Sequence, residues 1–310
     1  MSVRMYRTAD SGNDPSVNPA VWVIEKPDGT VLSTTGTQTQ GLQEAINYAL
    51  AYGYNLHVSG GPVKGGGQDP SIINCIAPVS VPPMQKGRIV IEGCTLNFGP
   101  SMSYAMRFDS MMLAALEMPG TQVVCGPGIG IGILFKPENE LPQDLAGPVI
   151  TSSRFQIQSV VMTGTGTPIV FDASIAPISS NVFEIIEPNG GNDGVTVVPG
   201  VGSFDHNTLN IRDCHGQTTC IRQGNNSLYG QKIFGNTWNV QCDPRGGSVG
   251  VEMWGQNDDW IISVTNMEGQ PVNGITLNQS AQKNRIHFLR NDATNKVNNA
   301  SSYINSITGI

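Results

Sequence analysis

A five-residue pattern that recurs through the C-terminal half constrains the fold of this chain more than any other feature. Five of the six copies have a polar first residue, and all have apolar third and fifth residues, as in Asn207-Thr-Leu209-Asn-Ile211. The third residues of the six copies are Phe155, Phe183, Leu209, Trp238, Ile262 and Ile286, which lie 28, 26, 29, 24 and 24 residues apart. The fifth copy begins at Trp260 and lacks the polar first residue. Alternation with a period of two predicts a β-strand in every copy.

The spacing of the copies predicts a solenoid. Most copies are followed 11 to 14 residues later by a second apolar pair, such as Val195-x-Val197, so each repeat holds two or three strands. A coil of this size cannot bury its inner residues alone, and successive coils must therefore stack in parallel. Propeller blades need about 40 to 45 residues, and the leucine-rich signature is absent. We expect an all-β parallel β-helix; the alternative is an ordinary sandwich with coincidentally spaced strands.

The composition agrees with many short strands joined by turns. Glycine and proline supply 37 and 20 of the 310 residues, whereas their usual combined share is about 12%. Charged residues make up 13% of the chain, against about 25% in an ordinary soluble domain. These proportions disfavour a helix bundle.

The first residues of the copies should form a column, because equivalent residues of successive parallel coils lie about 4.8 Å apart. We expect Asn181, Asn207, Asn236 and Asn284 to stack as a structural ladder, with Trp260 interrupting it. Stacked amides can bond to one another and to backbone groups at a bend. The alternative is a row of amides that contacts sugar hydroxyls.

The fourth residue of each copy should face solvent. This column is polar, but its side chains differ in chemical type. It comprises Gln156, Glu184, Asn210, Asn239, Ser263 and His287. Such a strip suits a polysaccharide better than a small cofactor, so Glu184, Asn210, Asn239 and His287 are candidate glycan-binding residues. Trp254 and Trp260 join them, because rings at a coil edge can stack on sugars. A solvated strand face without a ligand is the alternative.

The chain divides into three predicted segments. Residues 1–36 are mixed and polar and are expected to form an attachment segment, with a hairpin between Val21 to Glu25 and Thr30 to Ser33. Residues 37–290 should hold the β-helix and one amphipathic helix over about 39–53, which starts near the capping-box pattern Thr37-x-x-Gln40. Residues 291–310 are polar and should form a tail or an oligomerisation segment.

The helix ending at Gly53, the short strand around Leu56 and Val58, and the turn Gly60-Gly61 resemble the opening of a known family. That family is the right-handed parallel β-helix proteins of pectate-lyase-like type, which include phage tailspikes. The resemblance covers about residues 37–290 and rests on motifs that are generic to the architecture. It implies a right-handed solenoid whose open end is capped by the helix. The similarity to spikes of phage or gene-transfer-agent heads further implies a homotrimer.

The sequence does not contain a complete catalytic set of that family. Glycoside hydrolysis needs two carboxylates about 5 to 9.5 Å apart, and Asp205, Asp213 and His215 form the best cluster because they share one coil. The polygalacturonase-like members of the family pair Asp-Asp and Gly-His-Gly motifs with a basic tripeptide, and this chain departs from all three. The calcium-binding carboxylates and catalytic arginine of the lyases are not recognisable either. We expect no catalytic residues, with these three as the alternative.

Charge and cysteine spacing exclude several partners and cofactors. The net charge of −7 argues against nucleic acid, because phosphate binding needs concentrated Lys and Arg. No apolar run is long enough to span a membrane, and the N-terminus lacks a signal peptide, so we expect synthesis in the cytoplasm and a place on a particle surface. Six scattered cysteines without a CxxC pair predict buried thiols rather than a metal site. No cofactor is expected.

The expected function is that of a spike or fibre protein of a virion or virus-like particle, which recognises a host-surface glycan. The N-terminal segment would dock on a capsid, a tail or a second spike protein. Two alternatives share the fold. One is a polysaccharide depolymerase, acting as a lyase or a glycoside hydrolase, and the other is a purely architectural spike adaptor.

Overall fold

The structure is a computed structural model that describes residues 1–7, 22–60, 71–99, 101–142, 147–216, 218–224, 229–244, 249–265 and 272–309. Within these ranges the chain forms mainly strands, together with one α-helix, α1 (Leu42–Ala51), and one 3₁₀ turn, Gly230–Lys232. In the N-terminal half the strands are β1 (Ser2–Arg7), β2 (Trp22–Glu25), β3 (Val31–Leu32), β4 (Asn55–Ser59), β5 (Ser71–Cys75), β6 (Val79–Val81), β7 (Met84–Gln85), β8 (Arg88–Glu92), β9 (Cys94–Phe98), β10 (Ser101–Phe108), β11 (Met111–Met112), β12 (Ala115–Cys125), β13 (Gly128–Phe135) and β14 (Ile150–Thr151). In the C-terminal half they are β15 (Arg154–Met162), β16 (Thr167–Ala173), β17 (Ile178–Ser179), β18 (Val182–Ile186), β19 (Pro188–Gly190), β20 (Asp193–Pro199), β21 (Phe204–Asp205), β22 (Thr208–Cys214), β23 (Thr219–Gln223), β24 (Ile233–Phe234), β25 (Thr237–Cys242), β26 (Val249–Met253), β27 (Asp259–Val264), β28 (Asn273–Leu277), β29 (Arg285–Asn291), β30 (Asn295–Asn299) and β31 (Ser306–Thr308).

The strands form three long sheets that are almost entirely parallel. Sheet A has the order β3-β2-β1-β4-β8-β12-β15-β18-β22-β25-β27-β29-β31, with β5, β9 and β19 beside this path. Sheet B runs from β6 to β30, and sheet C runs from β7 to β24. The chain visits the sheets in turn, so that β15 in A is followed by β16 in B, β17 in C and β18 again in A. This order is consistent with a β-helix-like solenoid.

The central apolar residues of consecutive repeats pair directly with one another. Phe155 pairs with Phe183, Phe183 with Leu209, and Leu209 with Trp238, as the repeat predicts. All are fully buried. The rings of Phe155 and Phe183 stack with centroids 4.8 Å apart. The inward column is therefore a continuous stack of large side chains.

The assignment of the fifth copy is wrong by two residues. Trp260, not Ile262, pairs with Trp238, and the two indoles stack 4.5 Å apart with an interplanar angle of 2°. The copy therefore begins at Asp258, which supplies the polar first residue. As a result, Ile261 rather than Ser263 occupies the outward column beside Asn239. The alternation alone fits either register, because Trp260 and Ile262 are both apolar.

Helix α1 is shorter than the predicted span of about 39–53. Its N-cap is Gly41, which has a left-handed φ of 95°, and the Thr39 hydroxyl accepts a bond from the Gln43 N–H at 3.1 Å. The expected capping box does not form, because the Thr37 hydroxyl instead donates to the Thr34 carbonyl at 2.9 Å. The buried face consists of Leu42, Ala45, Ile46 and Ala49 and contacts β1, β4 and β6.

Both terminal segments add strands to the sheets. In residues 1–36, β1 pairs in parallel with β4, and β2 and β3 form the expected antiparallel hairpin at the edge of sheet A. Their apolar side chains Val3, Met5, Trp22 and Ile24 belong to the common core. In residues 291–310, β30 pairs with β28 and β31 with β29. Attachment through the first segment and oligomerisation through the last stay predictions.

A left-handed residue precedes each residue of the asparagine column, at the bend between sheets C and A. These residues are Ser180, His206, Gly235, Asn257 and Lys283, with φ between 53° and 69°. Left-handed backbone turns the chain sharply within one residue. The regular bend places every following polar side chain at the same inward corner.

Gly191 offers a test of how closely the backbones of adjacent repeats approach. Its φ is 72°, and a Cβ there would lie far inside van der Waals contact with the backbone carbonyl of Gly166. Gly29 is a matched control, because its φ is 82° and a Cβ there would meet nothing within 4 Å. We expect Gly191→Ala to lower the free energy of unfolding by at least about 2 kcal/mol more than Gly29→Ala. Equal losses in urea denaturation would contradict this packing.

Candidate functional site

The asparagine column forms a buried hydrogen-bonded ladder. The Asn207 side-chain oxygen accepts from the Asn181 N–H at 3.0 Å, and the Asn236 oxygen accepts from the Asn207 N–H at 3.0 Å. The same contact joins Ser153 to Asn181 at one end and Asn284 to Asn305 at the other, at 3.0 and 3.1 Å. Asn181, Asn207, Asn236 and Asn284 are at most 1% exposed. These amides therefore bond to backbone and to one another, not to an external sugar.

Asp258 occupies the step where the sequence suggested an interruption by Trp260. Its carboxylate accepts from the Asn236 N–H at 2.7 Å, the Trp238 indole N–H at 3.3 Å and the Gln223 amide. Its own N–H donates to the Asn284 oxygen at 3.0 Å. Among the described residues it has no ion-pair partner. Complete burial raises its pKa from the ordinary value of 3.8 to about 7, against the opposing effect of these hydrogen bonds.

The outward face of sheet A holds a groove with a volume of about 880 Å³. Its polar side chains are Gln156, Glu184, Asn210, Arg212, Asn239, Gln241, Ser263, Thr265 and Arg290. Its main apolar side chains are Ile186, Ile261 and Leu289. The groove crosses the strands from β15 to β29, which is five interstrand steps of about 4.8 Å, or roughly 24 Å. An extended chain of several sugar rings has this length.

Two bulges shape the groove. On β22, Ile211 pairs with Val240 and Cys214 with Cys242, so that two residues, Arg212 and Asp213, face the single residue between the partners. Both are exposed. On β29, a shift in register leaves Leu289 without a partner on β27, and its side chain is 68% exposed. Bulges change the direction of side chains. Here the bulges leave the side chains of Arg212 and Leu289 exposed on sheet A.

The charges of the groove are unevenly paired. Arg154 donates to both carboxylate oxygens of Glu184 at 3.1 and 3.2 Å, and Arg290 forms an ion pair with Asp292 at 2.6 Å. Within the described part of the chain, the Arg212 guanidinium has neither an ion pair nor a side-chain hydrogen bond. Arg212 is therefore a cation with its donors available to a ligand.

The structure separates the sequence-predicted glycan residues into two groups. Glu184, Asn210 and Asn239 line the groove, and the Asn239 amide donates to the Asn210 oxygen at 2.9 Å. His287 lies in the same outward column, beyond Ile261, and its Nδ1 is 2.9 Å from the Thr308 hydroxyl.

The two tryptophans do not lie in the groove. Trp254 is half-buried after β26, where its indole N–H has no partner among the described residues. Trp260 is 1% exposed and cannot stack on a sugar, which corrects the expectation that its ring lies at a coil edge. The repeat pattern does not identify Arg212, Ile261, Leu289 and Arg290 as groove residues, because it shows neither the bulges nor the register of the fifth copy.

The alternative catalytic cluster is not assembled. Asp205 ends β21 in sheet C, where its carboxylate bonds to His206 Nδ1 at 2.8 Å. Asp213 follows along β22 after six residues of extended chain, or roughly 20 Å, which exceeds the separation that glycoside hydrolysis needs. His215 lies past the bulge, 3.8 Å from Asp243. These three side chains therefore do not meet at one reacting centre.

The structure offers no alternative centre for metal chemistry in the ranges it describes. No group of three or more His, Cys, Asp or Glu residues could hold a metal ion there. All six cysteines are free and buried, and burial raises the pKa of Cys75, Cys94 and Cys125 to about 12. Cys214 and Cys220 each donate to the other's carbonyl, at 3.3 and 2.9 Å.

Comparisons with known proteins found no protein that is similar to this chain. No protein-family model matches this chain, and no curated protein and no solved structure is significantly similar to it. Among the described residues, no helix is long and apolar enough to cross a membrane. The groove is therefore interpreted from its own chemistry.

Proposed function

We propose that this protein is a spike or fibre component that recognises a surface glycan through the groove on sheet A. The groove itself carries the proposal, because it is long and open and combines amide side chains with the guanidinium of Arg212, which is unpaired among the described residues. Amide and guanidinium groups match the closely spaced hydroxyl, ring and carboxylate oxygens of polysaccharides. A compact cofactor would instead need an enclosed and mostly apolar pocket.

The finer architecture belongs to the same proposal. A right-handed parallel β-helix, with α1 covering the first coils, would present the groove as a rigid flat surface. The parallel sheets and the contacts of α1 with β1, β4 and β6 support this arrangement. A homotrimer on a virion or virus-like particle, attached through residues 1–36, would display several such grooves and gain affinity from multivalency.

Replacing Arg212 tests the recognition function. Arg212→Ala is expected to weaken binding to the recognised polysaccharide by about ten- to a hundredfold, since a charge-assisted hydrogen bond contributes roughly 1.5–3 kcal/mol. The measurement is a glycan array of neutral and acidic surface polysaccharides, followed by titration of the best ligand. Arg4→Ala is the matched control, because Arg4 is also an exposed arginine on sheet A but lies on β1, outside the groove.

Two results would contradict glycan recognition by the groove. One is that the unmodified protein binds none of the polysaccharides tested. The other is that the Arg212→Ala and Arg4→Ala variants bind the ligand equally well. Surface substitutions serve better here than deletion of residues 1–36. Deletion would remove β1 from sheet A and expose the core that Val3 and Met5 help to form.

A further inference from the structure

A second cavity, of about 510 Å³, lies away from sheet A. Three coils supply its walls, through the 3₁₀ turn Gly230–Lys232, the connection after β28, and the connection between β30 and β31. The coil of β25 and β26 lies between the first two. Its lining includes Gln231, Gln279, Ser280, Gln282, Ser302 and Tyr303. None of its lining residues belongs to the groove, so the two sites are separate.

The walls of this cavity are held rigidly. Gly230 packs so closely on Ser280 that a Cβ would lie far inside contact with the Ser280 hydroxyl, and that hydroxyl donates to the Trp254 carbonyl at 2.6 Å. Gln282 donates to the Gln256 amide oxygen at 2.6 Å, and Gln256 donates to the Gln231 carbonyl at 3.1 Å. Polar groups fixed in this way lose little conformational entropy when a ligand binds.

The loop that carries Tyr303 is also fixed, although the ring is exposed. The Tyr303 N–H donates to the Ser301 hydroxyl at 3.0 Å, and the Lys283 N–H donates to the Ile304 carbonyl at 2.8 Å. The Asn305 amide donates to the Ala281 carbonyl at 3.1 Å. The Tyr303 residue nevertheless remains 50% exposed. A rigid backbone thus presents a large aromatic surface that the fold leaves uncovered.

The lining carries amides, hydroxyls and one phenol ring, but no residue charged at neutral pH. The side chains of Gln231 and Gln279 are exposed, and the amide oxygen of Gln282 accepts no hydrogen bond among the described residues. A neutral pyranose matches these groups, because its rim of hydroxyls both donates and accepts hydrogen bonds. Its C–H face is apolar and can cover the tyrosine ring.

We propose that this cavity, lined by Gln231, Gln279, Gln282 and the exposed ring of Tyr303, is a second binding site, for one or two residues of a neutral carbohydrate. An anionic ligand would find no cation among the lining residues, and an apolar ligand would desolvate amides without replacing their hydrogen bonds. The volume is sufficient for a disaccharide-sized ligand. The site does not depend on the groove, so either can fail alone.

The test uses the full-length protein and neutral hexose oligosaccharides, namely maltohexaose, cellohexaose and laminarihexaose, with tri-galacturonate as the acidic comparison. Saturation-transfer NMR identifies the ligand, and titration measures its affinity. We expect one neutral oligosaccharide to bind, Tyr303→Ala to weaken it at least tenfold, and Gln279→Ala to weaken it several-fold. Tyr52→Ala is the matched control, since Tyr52 is 62% exposed at the end of α1. Arg212→Ala should leave this binding unchanged.

Each other outcome overturns the second site. No neutral oligosaccharide binding at millimolar concentration would do so, as would binding that survives both Tyr303→Ala and Gln279→Ala. If Arg212→Ala abolishes neutral sugar binding and Tyr303→Ala does not, the sugar binds in the groove. That result would support the proposed function but not the second site. If Tyr303→Ala changes the oligomeric state in solution but does not weaken sugar binding, the ring is a contact between protein subunits and not part of a sugar site.

Discussion

Replacing Asn207 by alanine is expected to lower the free energy of unfolding by about 2–5 kcal/mol. The Asn207 oxygen accepts from the Asn181 N–H, and its amide donates to the Ile178 carbonyl at 2.9 Å. Alanine leaves the Asn181 N–H buried without a partner, which costs about 1–3 kcal/mol. It also removes the amide's bonds to the Ile178 carbonyl and the Asn236 oxygen, each worth about 0.5–1.5 kcal/mol. Chemical denaturation followed by circular dichroism measures the loss.

Asn210 supplies a matched control on the same strand. It lies three residues after Asn207 and faces outward, where its side chain is half-buried in the groove. Asn210→Ala should change the free energy of unfolding by no more than about 0.5 kcal/mol. If both substitutions cost the same, the ladder does not stabilise the fold in the way its hydrogen bonds indicate.

The second large effect concerns pH and Asp258. Its pKa is raised to about 7 in the folded protein, so the folded state binds this proton more tightly than the unfolded chain does. The stability that the protonated carboxyl contributes is therefore fully present below pH 3.8 and is lost as pH rises through 7. A difference of about three pKa units corresponds to about 4 kcal/mol.

Comparison with Asp258→Asn isolates this effect. Other groups change the stability with pH in the opposite direction. Burial raises the pKa of Asp109, but backbone hydrogen bonds lower it by more, so that the pKa is lowered overall. Such groups are present in both proteins and cancel in the comparison. The new amide would face the N–H donors of Trp238 and Gln223, so the variant should be less stable at pH 4. Its stability relative to the unmodified protein should then rise by about 4 kcal/mol between pH 4 and pH 8. Parallel stability curves would show that Asp258 does not titrate in this range.

The sequence was sufficient to predict the inner column and the ladder because burial imposes a strict pattern. Phe183 and Leu209 must alternate with outward residues, and a buried asparagine at a bend must bond to the backbone. Their pairing could therefore be inferred from spacing alone. The hairpin of β2 and β3 was predictable for a similar reason, since Asp28-Gly29 gives a clear turn signal.

Other features depend on tertiary packing and leave no such pattern. The register of the fifth copy was ambiguous because Trp260 and Ile262 are both apolar, and only packing against Trp238 decides between them. The bulge at Arg212 inserts one residue into β22. The alternation of apolar and polar residues along that strand does not reveal the insertion. The second cavity joins residues from three coils, and Tyr303 lies far from Gln231 in the sequence.

The parallel pairing of consecutive repeats supports both proposed sites. An experimental map of the C-terminal half tests it most directly. A crystal structure or cryo-EM reconstruction should place Phe183, Leu209 and Trp238 on adjacent parallel strands, with their Cα atoms about 4.8 Å apart in succession. Antiparallel pairing of these strands, or their separation onto different sheets, would contradict the account and remove both the groove and the second cavity.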